Sequence, residues 1–201
     1  MKPSDVSRRE VVELLAAVPF IGSLPIPPAA AQRAARYARE VLADRTQAYT
    51  PQFFTAHEWD TVRLLADLVI PKDDRSGAAT DAGVPEFMDF IVIAYPDHQG
   101  WMRGGLAWLD NECLDRFGTR FLDCTAAQRT QLLDLIAWPD KAPQALHHGV
   151  AFFDRFRDFT ASGFWSSEMG VADIQYIGNT FVTEWQGCPP EQLKKLGVKY
   201  D

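Results

Sequence analysis

Between a threonine at position 55 and a proline at position 71 lies the stretch that most restricts how this chain can fold. The Thr55 hydroxyl can accept from the backbone N–H of residue 58, and the Glu58 side chain can reach back, a capping box that starts a helix. Behind it Trp59, Val62, Leu65, Ala66 and Val69 recur at three and four residues, the period of a helix with one buried face. Pro71 forbids continuation, because its ring clashes with the preceding turn and pushes Ile70 out of helical geometry. A polar loop over 72–83 follows, and Val84, Phe87, Ile91 and Ala94 then lay down a second apolar stripe. The segment therefore reads as helix, long loop, helix. It is a scaffold without a catalytic signature.

The rest of the chain repeats this grammar. Residues 32–48 predict a short, weak helix or an arm lying on a partner. A third strong helix is expected over about 98–117, with Trp101, Gly105 or Leu106, Trp108, Leu109 and Cys113 facing inward. Thr125 with Gln128 offers another capping box, opening a helix that must end before Pro139. Pro143 suits the first turn of a long helix carrying Leu146, Val150, Phe153, Phe156 and Phe159, with Gly163 as the expected stop. Beyond it lie short helical turns linked by Gly and Pro. No stretch alternates with period two for long enough to make a strand, so the expected fold is all-α, one irregular multi-helix domain.

Residues 1–31 are expected to stand outside that domain, which then spans 32–201. Ser7-Arg8-Arg9-Glu10-Val11-Val12 resembles a twin-arginine export signal, a modest apolar run follows, and Ala29-Ala30-Ala31 supplies a small-residue cleavage site before Gln32. The alternative, an amphipathic helix containing Arg8 and Arg9, is opposed by Pro19, Pro25, Pro27 and Pro28. The apolar run is too short and broken for a transmembrane span, which needs roughly 20 apolar residues. Twin-arginine export moves folded proteins, usually those loaded with a cofactor. This chain shows no cofactor motif, which points to a cofactor-bearing partner carried with it.

The net charge of −7 over 201 residues argues against a nucleic-acid surface and against a polybasic membrane attachment. The acidic loop residues Asp67, Asp73, Asp74 and Asp81 miss the calcium-loop spacing, because Arg75 falls where a ligand should stand, and read as solvated charge. The four histidines, His57, His98, His147 and His148, have neither a second ligand at helical spacing nor a Cys-x-x-Cys-His attachment. Gly104-Gly105 is a lone pair in a helical pattern rather than a phosphate cradle, and no G-x-S-x-G elbow occurs. No residue is assigned as catalytic, cofactor-binding or metal-ligating.

Three cysteines remain in a chain expected in an oxidising compartment. Cys113 and Cys124 are close enough in sequence for a bridge across a helix–helix connection. Cys188, in a Gly-Cys-Pro-Pro turn, is left as a free thiol or for pairing with another chain. The last third also holds a surplus of aromatics. Phe153 and Phe156 fit core packing, whereas Trp165, Tyr176 and Trp185 lie in segments of little regular structure. Buried aromatics dominate protein–protein contacts, so these three suggest a partner-binding face.

The runs AHEWDTVRLLADLVIPKDD and GAATDAGVPEFMDFIV, with YIGNTFVTEWQGCP from Tyr176 to Pro189, together resemble the small subunit (subunit 3, or gamma) of the gluconate 2-dehydrogenase type of membrane-associated sugar and polyol dehydrogenases. With the leader, the resemblance spans most of the chain. It implies a non-catalytic subunit in the periplasm, with any placement at the membrane face made through a partner. That partner is a glucose–methanol–choline type large subunit, which holds the FAD, with a cytochrome c subunit as a further candidate for taking the electrons. Asn179, in Tyr176-x-Gly178-Asn179, and Trp185, in Trp185-x-Gly187, match the family's most recognisable block and join Trp165, Tyr176 and Cys188 as interface candidates. The competing reading is a stand-alone periplasmic enzyme or ligand-binding protein built on the loop carboxylates and His57.

Overall fold

The computed structural model describes residues 26–43, 49–176, 183–184 and 187–199. Within them the chain is all-helical: α1 Pro28–Ala43, α2 Ala56–Val69, α3 Val84–Ala94, α4 Asp97–Phe117, α5 Ala126–Ile136, α6 His147–Ser166, α7 Glu168–Asp173 and α8 Pro190–Leu196, with short 3-10 turns at Phe121–Asp123 and Gln144–Leu146. Arg8 and Arg9 lie outside the described residues, as do Asn179 and Trp185.

Helix α6 is the axis of the fold. It packs against α1 to α5 and α7, and buries Phe152, Phe153, Phe156, Phe159 and Phe164 among them. The expected stop at Gly163 is corrected: α6 runs through it to Ser166. Gly163 is there for contact rather than termination, since a Cβ would stand 3.0 Å from the Phe87 ring of α3. The termination falls instead on Ser167, whose backbone is extended. At its other end α6 begins at His147, with Pro143 ahead of a 3-10 turn rather than in the helix's own first turn.

Both capping boxes form. Glu58 N donates to Thr55 Oγ1 at 3.3 Å while Thr55 N donates to Glu58 Oε2 at 2.8 Å, and Thr125 and Gln128 repeat the arrangement at the same two lengths. Helix α2 ends at Val69, ahead of Pro71. Helix α3 enters on Gly83, whose φ of 77° favours a residue without a Cβ, and continues through Pro85 in its first turn. Helix α4 ends on Gly118 at φ 73°, the left-handed cap that spares its last carbonyls. Its inward residues include Met102, Gly105, Leu106, Leu109 and Cys113, whereas Trp101 and Trp108 are only half-buried.

Helix α1 is a core element, not an arm on a partner. Ala30, Ala31, Ala34, Ala35 and Ala38 are buried, Ile26 just before the helix is buried with them, and α1 packs chiefly on α3. Small side chains let the two helices approach closely. Ala29 and Ala31, the expected cleavage residues, thus sit in the first turn of α1.

Buried Asp89 on α3 pins the segment that leads into α2. Its carboxylate accepts from Tyr49 Oη at 2.7 Å and from the backbone N–H groups of Gln52 and Phe53 at 2.8 and 3.0 Å. Burial, with Asp89 beside it, raises the Tyr49 pKa. Arg103 of α4 closes the same corner, lying 4.3 Å from the Phe53 ring centre and donating to the Phe53 carbonyl at 2.8 Å.

Candidate functional site

The exposed aromatic edge lies where α6 gives way to α7. Ser167 makes the joint: its hydroxyl donates to the Phe164 carbonyl at 2.6 Å and accepts from Gly170 N at 3.0 Å, so one side chain ends α6 and caps α7. Gly170 sits so close that a Cβ there would fall 2.0 Å from the Phe164 carbonyl oxygen. The start of α7 therefore packs backbone against backbone on the last turn of α6. Phe164 turns into the core, and Trp165 beside it turns out, 45% exposed. After α7 the chain leaves through Ile174, 52% exposed, Gln175 at φ 55° and Tyr176, 55% exposed.

This edge is tied to the α2–α3 loop. Arg75 donates to the Asp173 carbonyl and pairs with its carboxylate at 3.3 Å. The 72–83 loop packs on itself as well as touching this edge. Ala79 N donates to Ile70 O at 3.0 Å and Val84 N to Ala79 O at 3.1 Å, so its ends are closed by backbone bonds.

Asp73, Asp74 and Asp81 are exposed, as solvated charge is, and three of the four carboxylates, Asp67, Asp73 and Asp81, also accept hydrogen bonds that help close the loop. Asp67 accepts from Thr80 N and Oγ1 at 2.8 and 2.9 Å, and Asp81 accepts from Ala78 N at 3.0 Å. Asp73 accepts from Ser76 N and Arg75 N at 2.8 and 2.9 Å, and these two backbone donors hold its carboxyl below the usual range. His57 is elsewhere. It stands at the opposite end of α2 from Asp67, a rise of about 15 Å at 1.5 Å per residue. Its Nε2 meets Asp110 Oδ2 of α4 at 2.5 Å, and Asp110 Oδ1 accepts from Phe121 N at 3.1 Å. The structure thus does not gather His57 and the loop carboxylates into one site. Among the described residues no group of three or more His, Cys, Asp or Glu is placed to hold a metal ion.

Cys113 and Cys124 are buried thiols brought together between α4 and the following 3-10 turn. Burial, with the Cys124 thiol alongside, pushes Cys113 up to about 12. Cys188 is exposed, ahead of α8. Histidine 98 is part of the aromatic core: Trp101 Nε1 donates to its Nδ1 at 3.1 Å, and its ring meets Phe159 edge to face at 5.0 Å. Burial lowers its pKa, in keeping with a neutral imidazole accepting at Nδ1.

Two features escaped the sequence. Asp89 is one, since a carboxylate in a helical stripe gives no sign of being a buried anchor. Ile174 is the other, an apolar residue on the exposed edge hidden in a segment of weak period. No helix among the described residues is long and apolar enough to cross a membrane.

A protein-family model described as gluconate 2-dehydrogenase subunit 3 matches residues 56–185, from the first turn of α2 past the exposed edge. No curated protein matches the chain, and no solved structure matches it.

Proposed function

Because the chain belongs to the gluconate 2-dehydrogenase subunit 3 family, we propose that it is the non-catalytic small subunit of a periplasmic, FAD-dependent sugar or polyol dehydrogenase. It binds a glucose–methanol–choline type large subunit, assists the maturation of that flavoprotein, and provides the twin-arginine leader that exports both. Electrons leave the flavin toward a cytochrome c subunit or another acceptor without passing through this chain.

The observation that carries the reading is the apolar edge of Trp165, Ile174 and Tyr176, large side chains left exposed at the end of α6 and just beyond α7. Burying such side chains against another protein contributes roughly 1.5–3 kcal/mol each, and aromatic residues in such positions anchor interfaces. The bond from Arg75 to Asp173 supports it further, because it ties this edge to the α2–α3 loop. The stand-alone alternative is weakened by the separation of His57 from the loop carboxylates and by the backbone bonds that occupy Asp67, Asp73 and Asp81.

The test is purification through a tag on this chain from its native host. A larger companion with a flavin absorption spectrum is expected. A purified chain that travels alone and turns over a sugar or polyol unaided would overturn the proposal.

A further inference from the structure

Helices α4 and α6 run antiparallel: Trp101 meets Phe159, Gly105 meets Phe152 and Trp108 meets Gly149. Two glycines make this approach possible. A Cβ on Gly105 would fall 1.8 Å from the Phe152 ring, and one on Gly149 would fall 2.0 Å from the Trp108 ring. Gly104 has no such reason. A Cβ there meets nothing within 4 Å among the described residues, although glycine inside a helix weakens it relative to alanine.

Bare backbone at Gly104 forms part of the lining of an open groove of about 450 Å³, flanked by Trp101 and Trp108 one turn away on either side. Ala151 and Phe152 form the facing wall. Its polar side-chain groups are Arg155, His148 and the Trp108 indole N–H. The Arg155 guanidinium lies 6.0 Å over the Trp101 ring and has no carboxylate partner among the described residues. His148 has no hydrogen-bond partner there, nor does the Trp108 indole N–H, whereas Trp101 gives its own N–H to His98. No Asp or Glu lines the groove, in a chain whose net charge is −7. The groove is therefore apolar and aromatic, with cationic and donor groups and no carboxylate of its own.

We propose that the α4–α6 groove is a second docking site for the large subunit, distinct from the exposed edge at the end of α6. It receives a partner segment that lays an apolar side chain against Gly104 between the indoles and presents an Asp or Glu carboxylate to Arg155. Bidentate pairing with a carboxylate is what a guanidinium held over an aromatic face is suited to. The bare backbone at Gly104 admits close approach of the segment's main chain. This inference rests on the proposed partnership with the flavoprotein.

Photo-crosslinking in the co-expressed complex tests it. The photoreactive residue p-benzoylphenylalanine is placed at position 151, exposed on the wall facing Gly104, and separately at position 176 on the exposed edge. The expected result is capture of the large subunit from both positions, with the peptide captured at 151 containing Asp or Glu. Arg155→Glu should cut capture at 151 at least tenfold and leave capture at 176 unchanged. Capture from 176 alone, or capture at 151 of this chain's own residues 177–201, overturns the groove assignment while the partnership stands. Capture at 151 that is indifferent to Arg155→Glu overturns the carboxylate recognition. No capture from either position overturns both the groove and the partnership.

Discussion

Arg75, in the loop between α2 and α3, is bonded to Asp173 at the end of α7, so the most strongly patterned hairpin of the chain holds the edge at the far end of α6. The pair is exposed on the arginine side, and exposed ion pairs contribute little to stability. Its role is to fix position. Arg75→Ala is expected to lower stability by under about 1 kcal/mol yet weaken capture of the large subunit. Thermal unfolding and tag co-purification of the same variant check the two halves.

Glycines 170 and 104 should respond oppositely to a methyl group. Gly170→Ala forces a Cβ to within 2.0 Å of a backbone carbonyl that cannot move aside, so a loss at or above about 1–3 kcal/mol is expected. Gly104→Ala meets open space in a helix interior and should raise stability by about 1 kcal/mol. Denaturant titration of both variants reads the difference directly.

Glu86 is buried on α3, one carboxylate oxygen has no hydrogen-bond partner, and burial raises its pKa above the ordinary 4.5. The folded state therefore holds the proton more tightly than the unfolded chain. Its stabilising contribution is complete below pH 4.5 and is lost as pH rises through the raised value. Nearby Asp89 adds to the rise, while Arg63 opposes it. Glu86→Gln should flatten this loss, with the variant gaining over the parent by about 1–2 kcal/mol at pH 8 and losing that advantage toward pH 4. Unfolding curves across that pH range test the sign.

Packing in α1 makes the region around the expected cleavage residues measurable. A chain starting at Gln32 lacks the buried Ile26, Ala30 and Ala31, and should be less stable than one starting at Ile26 by about 2–3 kcal/mol. Equal melting temperatures for the two chains would show that the first turn of α1 contributes nothing.

Much of the fold is legible because its signals are local. The boxes at Thr55 and Thr125 need only residues three apart, and Pro71 stops α2 by its own ring. What is illegible depends on contacts distant in sequence. Gly163 reads as a stop because glycine often ends helices, yet its neighbour is Phe87 on α3. Asp73, Asp74 and Asp81 are exposed as their composition suggests, but the backbone donors to Asp67 and Asp73 are groups that composition does not reveal. Trp165 and Tyr176 stand out in sequence as aromatics without a regular core to fill, and both are exposed. Arg155 and Gly104 could not be paired in advance, since their proximity follows from how α4 crosses α6.

The most direct measurement is expression of the large subunit with and without this chain, followed by bound flavin per polypeptide and by its distribution between cytoplasm and periplasm. The account predicts that the large subunit made alone is poor in FAD or retained in the cytoplasm, and that co-expression restores both. Full flavin loading with normal export in the absence of this chain would contradict it.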